Sequence, residues 1–259
     1  MSTILFHEIV FGPIHSRRLG SSLGMNLLPY DGKLCSFDCI YCECGYNKDF
    51  KTKTKLPDRD NVKAALEDKL IKLKNDNVTI DVITFAGNGE PTMHPQFEGI
   101  IDDTIELRNR YYPEAKISVL SNAMHLNKES VFRALQRVDN NILKLDSGIL
   151  ETVRLIDRPN APSYSIEHQI EQFSRFEGNF IMQTMFVTGT HNGKVVDNTT
   201  EEEVAAWIKA IKATRPREVM IYTIDRETPE KNLEKVPVGK LKEIAAKVEQ
   251  LGIKVNVAG

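Results

Sequence analysis

Two rhythms of apolar and polar positions trade places along this chain. In the first, apolar residues recur at helical spacing, as at Val62, Ala65, Leu66, Leu70 and Leu73, which predicts a helix over Val62–Leu73. The same period predicts helices over Phe97–Leu107, Lys128–Leu135, Ile166–Phe176, Glu201–Ala213 and Val238–Leu251. In the second, short apolar, β-branched runs predict strands over Leu23–Leu28, Val78–Phe85, Lys116–Leu120, Asn141–Leu145, Phe180–Val187, Glu218–Ile224 and Ile253–Val257. Turn-forming residues punctuate them, among them Gly87-Asn88-Gly89 after the second strand and Pro113 beyond the second helix.

Strand and helix alternate about six times at a spacing of roughly 30 residues, the pattern of a parallel sheet built from βαβ units. Six units are too few for an eight-unit barrel and suit a partial barrel or an open sheet. No internal repeat, low-complexity stretch or Pro/Gly/Ser-rich linker divides the chain. The expectation is one domain over 1–259, with 1–22 as an N-terminal extension, 23–224 as the core, and 225–259 as a C-terminal helix and short strand. Unusual residues fall repeatedly just past predicted strands: Cys35, Gly87–Glu90, Ser121 and Asn122, Asp146 and Thr223. Sites of parallel α/β folds are built at that edge, so these residues are expected to share one site.

Composition adds mainly exclusions. At 259 residues, 41% hydrophobic and 27% charged, the chain can bury a sizeable core. A formal net charge of −2 gives no global basic field for nucleic acid. The apolar runs are far shorter than a membrane span, and Met1–His7 lacks a signal-peptide pattern, so a cytoplasmic protein is expected. The four cysteines change the picture, because all of them lie between positions 35 and 44. A secreted disulfide framework would spread them to close long loops. Clustering in a reducing compartment points to metal ligation or redox chemistry.

The cluster reads Cys35-Ser-Phe-Asp-Cys39-Ile-Tyr-Cys42-Glu-Cys44, containing Cys-x3-Cys-x2-Cys. A loop of that length can present three thiolates to three corners of an iron–sulfur cubane, leaving the fourth iron open to a chelating ligand, whereas electron-transfer clusters are normally capped by four cysteines. Zinc sites favour two separated Cys-x2-Cys pairs, and there is no second pair. A thioredoxin-like reading of Cys39-Ile-Tyr-Cys42 leaves Cys35 and Cys44 unexplained. Cys44 is read as a small buried thiol beside the cluster, although its position also allows it to replace Cys42.

Cys-x3-Cys-x2-Cys with an aromatic residue just before the last cysteine, here Tyr41, resembles the signature of the radical S-adenosylmethionine (SAM) superfamily. The segment 11–20, Phe-Gly-Pro-Ile-His-Ser-Arg-Arg-Leu-Gly, taken with 35–45, resembles the small radical SAM proteins related to the wybutosine-synthesis (tRNA) enzymes. The resemblance implies an α/β fold, a partial (β/α)6 TIM-like barrel with a [4Fe–4S] cluster at the C-terminal edge of the strands. It implies that Cys35, Cys39 and Cys42 hold the cluster and that Tyr41 lies against the SAM adenine. Gly87, Asn88, Gly89 and Glu90 correspond to the Gly-Gly-Glu-like element that binds the methionine ammonium. Glycines permit close backbone approach there, and a carboxylate pairs with a cation.

Ser121 and Asn122 are placed where relatives contact SAM, and otherwise form a turn. Asp146 is read either as an acceptor for a ribose hydroxyl or as a strand-end salt bridge. Gln183 on the fifth strand is read as lying near SAM. Arg17, Arg18, Arg158 and Tyr222 are candidates for the substrate wall, and an arginine there suits a phosphate or carboxylate. His94 is read as structural. The implied reaction is reductive SAM cleavage to a 5′-deoxyadenosyl radical that takes hydrogen from a substrate, fed by a low-potential donor of flavodoxin or ferredoxin type. The substrate is unidentified: a tRNA base is one reading, helped by the basic run Lys48, Lys51, Lys53 and Lys55, and a peptide or protein is another. A non-catalytic iron–sulfur electron carrier is the alternative of a different class. No membrane partner is expected, and the protein is expected to be a monomer.

Overall fold

A computed structural model describes residues 4–16, 18–50 and 52–259. In chain order the elements are β1 (Val10–Ser16), β2 (Gly20–Met25), α1 (Arg59–Asn75), β3 (Val82–Phe85), α2 (Phe97–Tyr111), β4 (Lys116–Ser121), α3 (Glu129–Arg137), β5 (Asn140–Lys144), α4 (Leu150–Ile156), α5 (Ile166–Ser174), β6 (Ile181–His191), β7 (Lys194–Asp197), α6 (Glu201–Thr214), β8 (Glu218–Thr223), β9 (Leu233–Lys235), α7 (Val238–Glu249) and β10 (Lys254–Ala258). The fold is α/β, as the alternation predicts, and of its two readings the curled half-barrel of parallel strands is the one found, as the resemblance implies.

The sheet order is β1-β2-β3-β4-β5-β6-β8-β10, with β1 antiparallel to β2 and every later neighbour on that path parallel. Strands that run the same way end on the same rim, so Met25, Phe85, Ser121, Lys144 and Thr223 all lie there. Residues 1–22, read from sequence as an extension, supply β1 and the start of β2. The last short strand continues the parallel sheet as β10 beyond the six predicted units.

Local chemistry sets the boundaries. The Asp58 carboxylate accepts the Asn61 N–H at 2.8 Å to start α1, and Thr200 does the same for α6 at 3.3 Å, ahead of three glutamates that suit the positive end of a helix. Val78–Phe85 reads as one strand, but β3 begins only at Val82, because the Val78 N–H bonds back to Leu73 O and closes α1. Beyond Val187, β6 runs on to His191 and pairs antiparallel with β7 and β9. The Asn192-Gly193 turn that joins β6 to β7, with φ of 51° and 75°, is the residue pair that favours such a hairpin.

Side chains alternate across the strands. Leu23, Ile83, Val119, Leu143, Phe186 and Ile221 join the core beneath the helices. Trp207 of α6 is the largest fully buried side chain there, edge-on to Phe186 and donating its indole N–H to Thr184 Oγ1 at 2.9 Å. Facing the other way, into the barrel, Ile142, Ile181 and Met220 form a small apolar floor with Leu19 and Leu120. Above that floor the concave face carries the polar residues Ser22, Thr84 and Lys144.

Candidate functional site

The cysteine loop sits over the rim because backbone bonds anchor it on two sides. Leu34 donates to Asn88 O at 2.8 Å and accepts from the Glu90 N–H at 3.1 Å, joining the loop to the turn after β3. Asp38 donates to Asp157 O and Ile40 to Ile156 O, joining it to the end of α4. Gly89 is required by this approach. Its φ is +139°, and a Cβ there would lie 1.9 Å from Leu34 O.

Cys35, Cys39 and Cys42 are half-buried on this loop, while Cys44 is buried and donates to Gly87 O at 3.5 Å. Among the described residues, no three Cys, His, Asp or Glu side chains are gathered closely enough to chelate a single metal ion. A cubane takes one thiolate per iron and needs no such gathering. The surroundings suit a negative sulfur set. Phe37 N–H and Asn122 Nδ2 point to Cys35 Sγ at 3.4 and 3.5 Å. A hydrogen bond from Cys44, followed by the charge of Lys33, draws the Cys42 thiol below its usual range. Burial pushes the other two upward.

Lys33 is a residue that sequence reasoning missed. It is 3% exposed, bonded to Gly45 O at 2.9 Å and to Asp38 Oδ1 at 3.2 Å. Burial alone would depress its pKa. The negative charge that Cys42, Cys35, Cys39 and Asp38 can carry overcomes this and raises it. Paired with Asp38 and set beside the cysteines, this ammonium can offset negative charge on sulfur, so the residues present fit an iron–sulfur group. A lone lysine in a loop carries no sequence signal of this role.

Glu90, 2% exposed, is the hub of the neighbouring turn. Oε1 accepts from Thr92 N, Thr92 Oγ1 and Ser121 Oγ at 3.1, 2.5 and 2.9 Å. Oε2 accepts only the Asn122 N–H among the described residues, at 2.6 Å, which leaves lone-pair capacity for a cation. Burial nevertheless pushes its pKa up. Asn122 continues the chain of contacts, from Glu90 to Ser36 Oγ at 2.9 Å and on to Cys35. Asn88 is fully buried, and its side chain is committed to the backbone of Phe6 and Pro29 at 2.8 Å.

Further round the rim, Tyr41 OH, Lys144 Nζ and the carboxylates of Asp146 and Asp157 form one buried cluster. Asp146 therefore makes the strand-end salt bridge with Lys144, and it also accepts the Met185 N–H at 2.9 Å. Burial pushes the Asp157 carboxyl well up. Asp146 and Asp157 outweigh burial at Lys144 and keep it charged. Gln183 lies on the adjoining strand, with 7% exposure.

The four substrate-wall candidates separate. Arg18 Cζ lies 4.4 Å over the Tyr222 ring, within the barrel. Arg158 instead lies 5.0 Å over the Tyr46 ring on the outer side of the loop. There, with Lys48 and Arg154, it lines an open cavity of about 740 Å³ that reaches Cys35. Arg17 and Lys51 lie outside the described residues, and Lys53 and Lys55 are exposed. His94 is 3% exposed and bonded to Pro57 O and the Gln96 N–H. No helix among the described residues is long and apolar enough to cross a membrane.

A family model described as the radical SAM superfamily matches residues 31–175, more than half of the chain. A protein of Brachyspira hyodysenteriae named GTPase Obg is 31% identical over 85% of this chain, which spans only 30% of that protein. A UPF0026 protein of Helicobacter pylori is 30% identical over 84% of this chain and 67% of its own length. Among solved structures, Streptococcus suis SuiB bound to S-adenosylmethionine matches 90% of this chain and 51% of its own, with a TM-score of 0.64 at 14% identity. TYW1 with a lysine-pyruvate adduct bound matches 88% and 73%, with a TM-score of 0.58 at 11% identity. At such identities the likeness is one of fold.

Proposed function

We propose, given that the chain belongs to the radical SAM superfamily, that it is an enzyme that cleaves S-adenosylmethionine reductively at a [4Fe–4S] cluster held by Cys35, Cys39 and Cys42. When bound, the cluster supplies one electron to the SAM sulfonium, giving methionine and a 5′-deoxyadenosyl radical that takes hydrogen from a substrate. The observation that carries this reading is the backbone ladder between Leu34 and Asn88–Glu90, which holds the cysteine loop against the Gly87–Glu90 turn.

In this reading the chain's own residues divide the work of binding. Lys33 and Asn122 offset negative charge at the thiolates. Glu90 faces the methionine ammonium through the open lone pair of Oε2, and the Gly87–Gly89 turn lets the backbone come close. Tyr41 borders the adenine, with Asp146, Ser121 and Asn122 among the polar groups near the nucleoside and the amino-acid end. The electron donor, an acidic flavodoxin- or ferredoxin-type carrier, approaches Cys35 from the outer cavity that Lys48, Arg154 and Arg158 make positive. Cysteines kept as thiols suit the cytoplasm.

Anaerobic reconstitution tests the reading. The expected result is about four irons per chain, the content of a single cubane, and 5′-deoxyadenosine on reduction with SAM. A well-reconstituted sample that binds no SAM would leave the iron–sulfur carrier standing, and one that forms no deoxyadenosine would overturn the proposal.

A further inference from the structure

The barrel interior holds a half-buried arginine, one of whose guanidinium nitrogens the fold does not satisfy. Arg18 enters just ahead of β2, where Ser16 Oγ accepts the N–H groups of Arg18 and Leu19 at 3.3 and 3.2 Å and fixes the turn. Its side chain then runs inward to stack on Tyr222. Nη1 is buried and has no hydrogen-bond partner. A buried charged donor left without an acceptor is among the more expensive features a fold can keep, and such a group calls for an explanation outside the protein's own contacts.

The space around it describes the missing acceptor. Arg18 lines a cavity of about 360 Å³ that extends to Gly87 and Cys44, at the rim where the SAM site is proposed. It also lines a smaller one of about 60 Å³ that reaches Tyr41, Met185 and Tyr222, and one of about 420 Å³ at the opposite end of the barrel, where Asp81, Glu114 and Glu218 lie beside Lys116 and Lys254. The apolar lining of the cavity at the rim comes from Phe6, Phe11, Ile14 and Leu120. Phe6 and Phe11 are stacked at 3.7 Å, and Phe11 lies so close to β2 that only Gly24 fits beneath its ring. Ser22 and Thr84 add hydroxyls, bonded to each other at 2.8 Å. The acidic groups at the mouth already have cations: Glu43 pairs with Arg226 at 2.7 Å, and Asp225 with Lys235 at 3.4 Å.

We infer that Arg18 is the anchor for a carboxylate of the substrate, whose apolar body lies against the Phe6–Phe11 wall with its reacting carbon toward Gly87. A carboxylate matches the planar guanidinium fork with two parallel bonds and carries a single negative charge. A phosphate would bring more negative charge than the single guanidinium offsets. Volume and wall chemistry fit an amino-acid-sized organic acid. The inference deepens the proposed function and rests on the barrel mouth being the SAM site.

Calorimetry on the reconstituted, SAM-loaded full chain tests it, with phenylacetate, 2-phenylethanol and phenyl phosphate as probes. Phenylacetate is expected to bind wild type about tenfold or more tighter than the isosteric alcohol, the effect of one charged hydrogen-bonded pair. Arg18→Gln should remove that preference, and Arg18→Lys should retain part of it. Equal binding of acid and alcohol by wild type, which needs no variant to fold, would overturn the inference, as would an undiminished preference in Arg18→Gln. Tighter binding of phenyl phosphate would overturn the carboxylate in favour of a nucleotide-like group. Deoxyadenosine formation followed on the same sample separates failure of this inference from failure of the SAM reading.

Discussion

Glu90 and Asn122, 32 residues apart in sequence, meet at 2.6 Å, and the amide of Asn122 then reaches Cys35 Sγ. A buried carboxylate thereby sets the position of a donor to a cysteine of the cluster loop. Glu90→Gln replaces an acceptor-only group with one that also donates, so that one of its four N–H or O–H partners faces a donor. The expected loss is about 1–3 kcal/mol of stability, read from denaturant unfolding, with an altered visible spectrum after cluster reconstitution. Unchanged stability and spectrum would show that the contact is incidental.

Lys33 offers a test that does not depend on turnover. With its ammonium buried among the cysteines, Lys33→Met removes a positive charge that would favour the reduced, more negative form of the proposed cluster. The midpoint potential should fall, by on the order of 50 mV for an interaction near 1 kcal/mol. Redox titration followed by electron paramagnetic resonance measures it, and a potential equal to wild type refutes the role.

Cys44 and Cys42 lie side by side, yet their substitutions should differ. Cys35→Ala, Cys39→Ala or Cys42→Ala should abolish iron retention, whereas Cys44→Ala should keep it, since the Cys44 thiol is directed to Gly87 O. Loss of iron in Cys44→Ala would reassign the ligands.

Gly89→Ala tests the seam between the two halves of the site. The added methyl would collide with Leu34 O in a backbone conformation that L-residues rarely adopt. The expected cost is roughly 1–3 kcal/mol from the dihedral alone, with iron retention falling alongside melting temperature. A stable variant with full iron content would separate the loop from the turn.

His94 gives the pH dependence a sign. Burial depresses its pKa, its Nε2–H donates to Pro57 O, and Nδ1 accepts from Gln96, so the folded state holds the neutral ring. Below the usual imidazole pKa of about 6.5 the unfolded chain binds the extra proton and the folded chain resists it. This contribution is thus intact above that pH and is lost on acidification. His94→Gln should flatten the fall in unfolding free energy between about pH 8 and pH 5. An identical slope in the variant would place the titration elsewhere.

What is covalent or periodic can be read directly from the chain. The spacing of Cys35, Cys39 and Cys42 is a property of the chain, and alternating periods of 3.6 and 2 fix which residues can share a face, so both the cysteine motif and a parallel α/β sheet were legible before any contact was known, the partial barrel following from the family resemblance. Even the hairpin beyond Val187, unread from the apolar run, has its signal in Asn192-Gly193. Contacts between distant segments were not legible, because they depend on strand register and on which loop folds over which rim. It is the packing that buries Lys33 among the thiols, brings Asp146 to Lys144, and sets Arg158 outside the loop while Arg18 stacks on Tyr222 across the barrel. The charge of an arginine can be read from one letter. Whether it is solvated or left without an acceptor depends on where more than two hundred other residues pack.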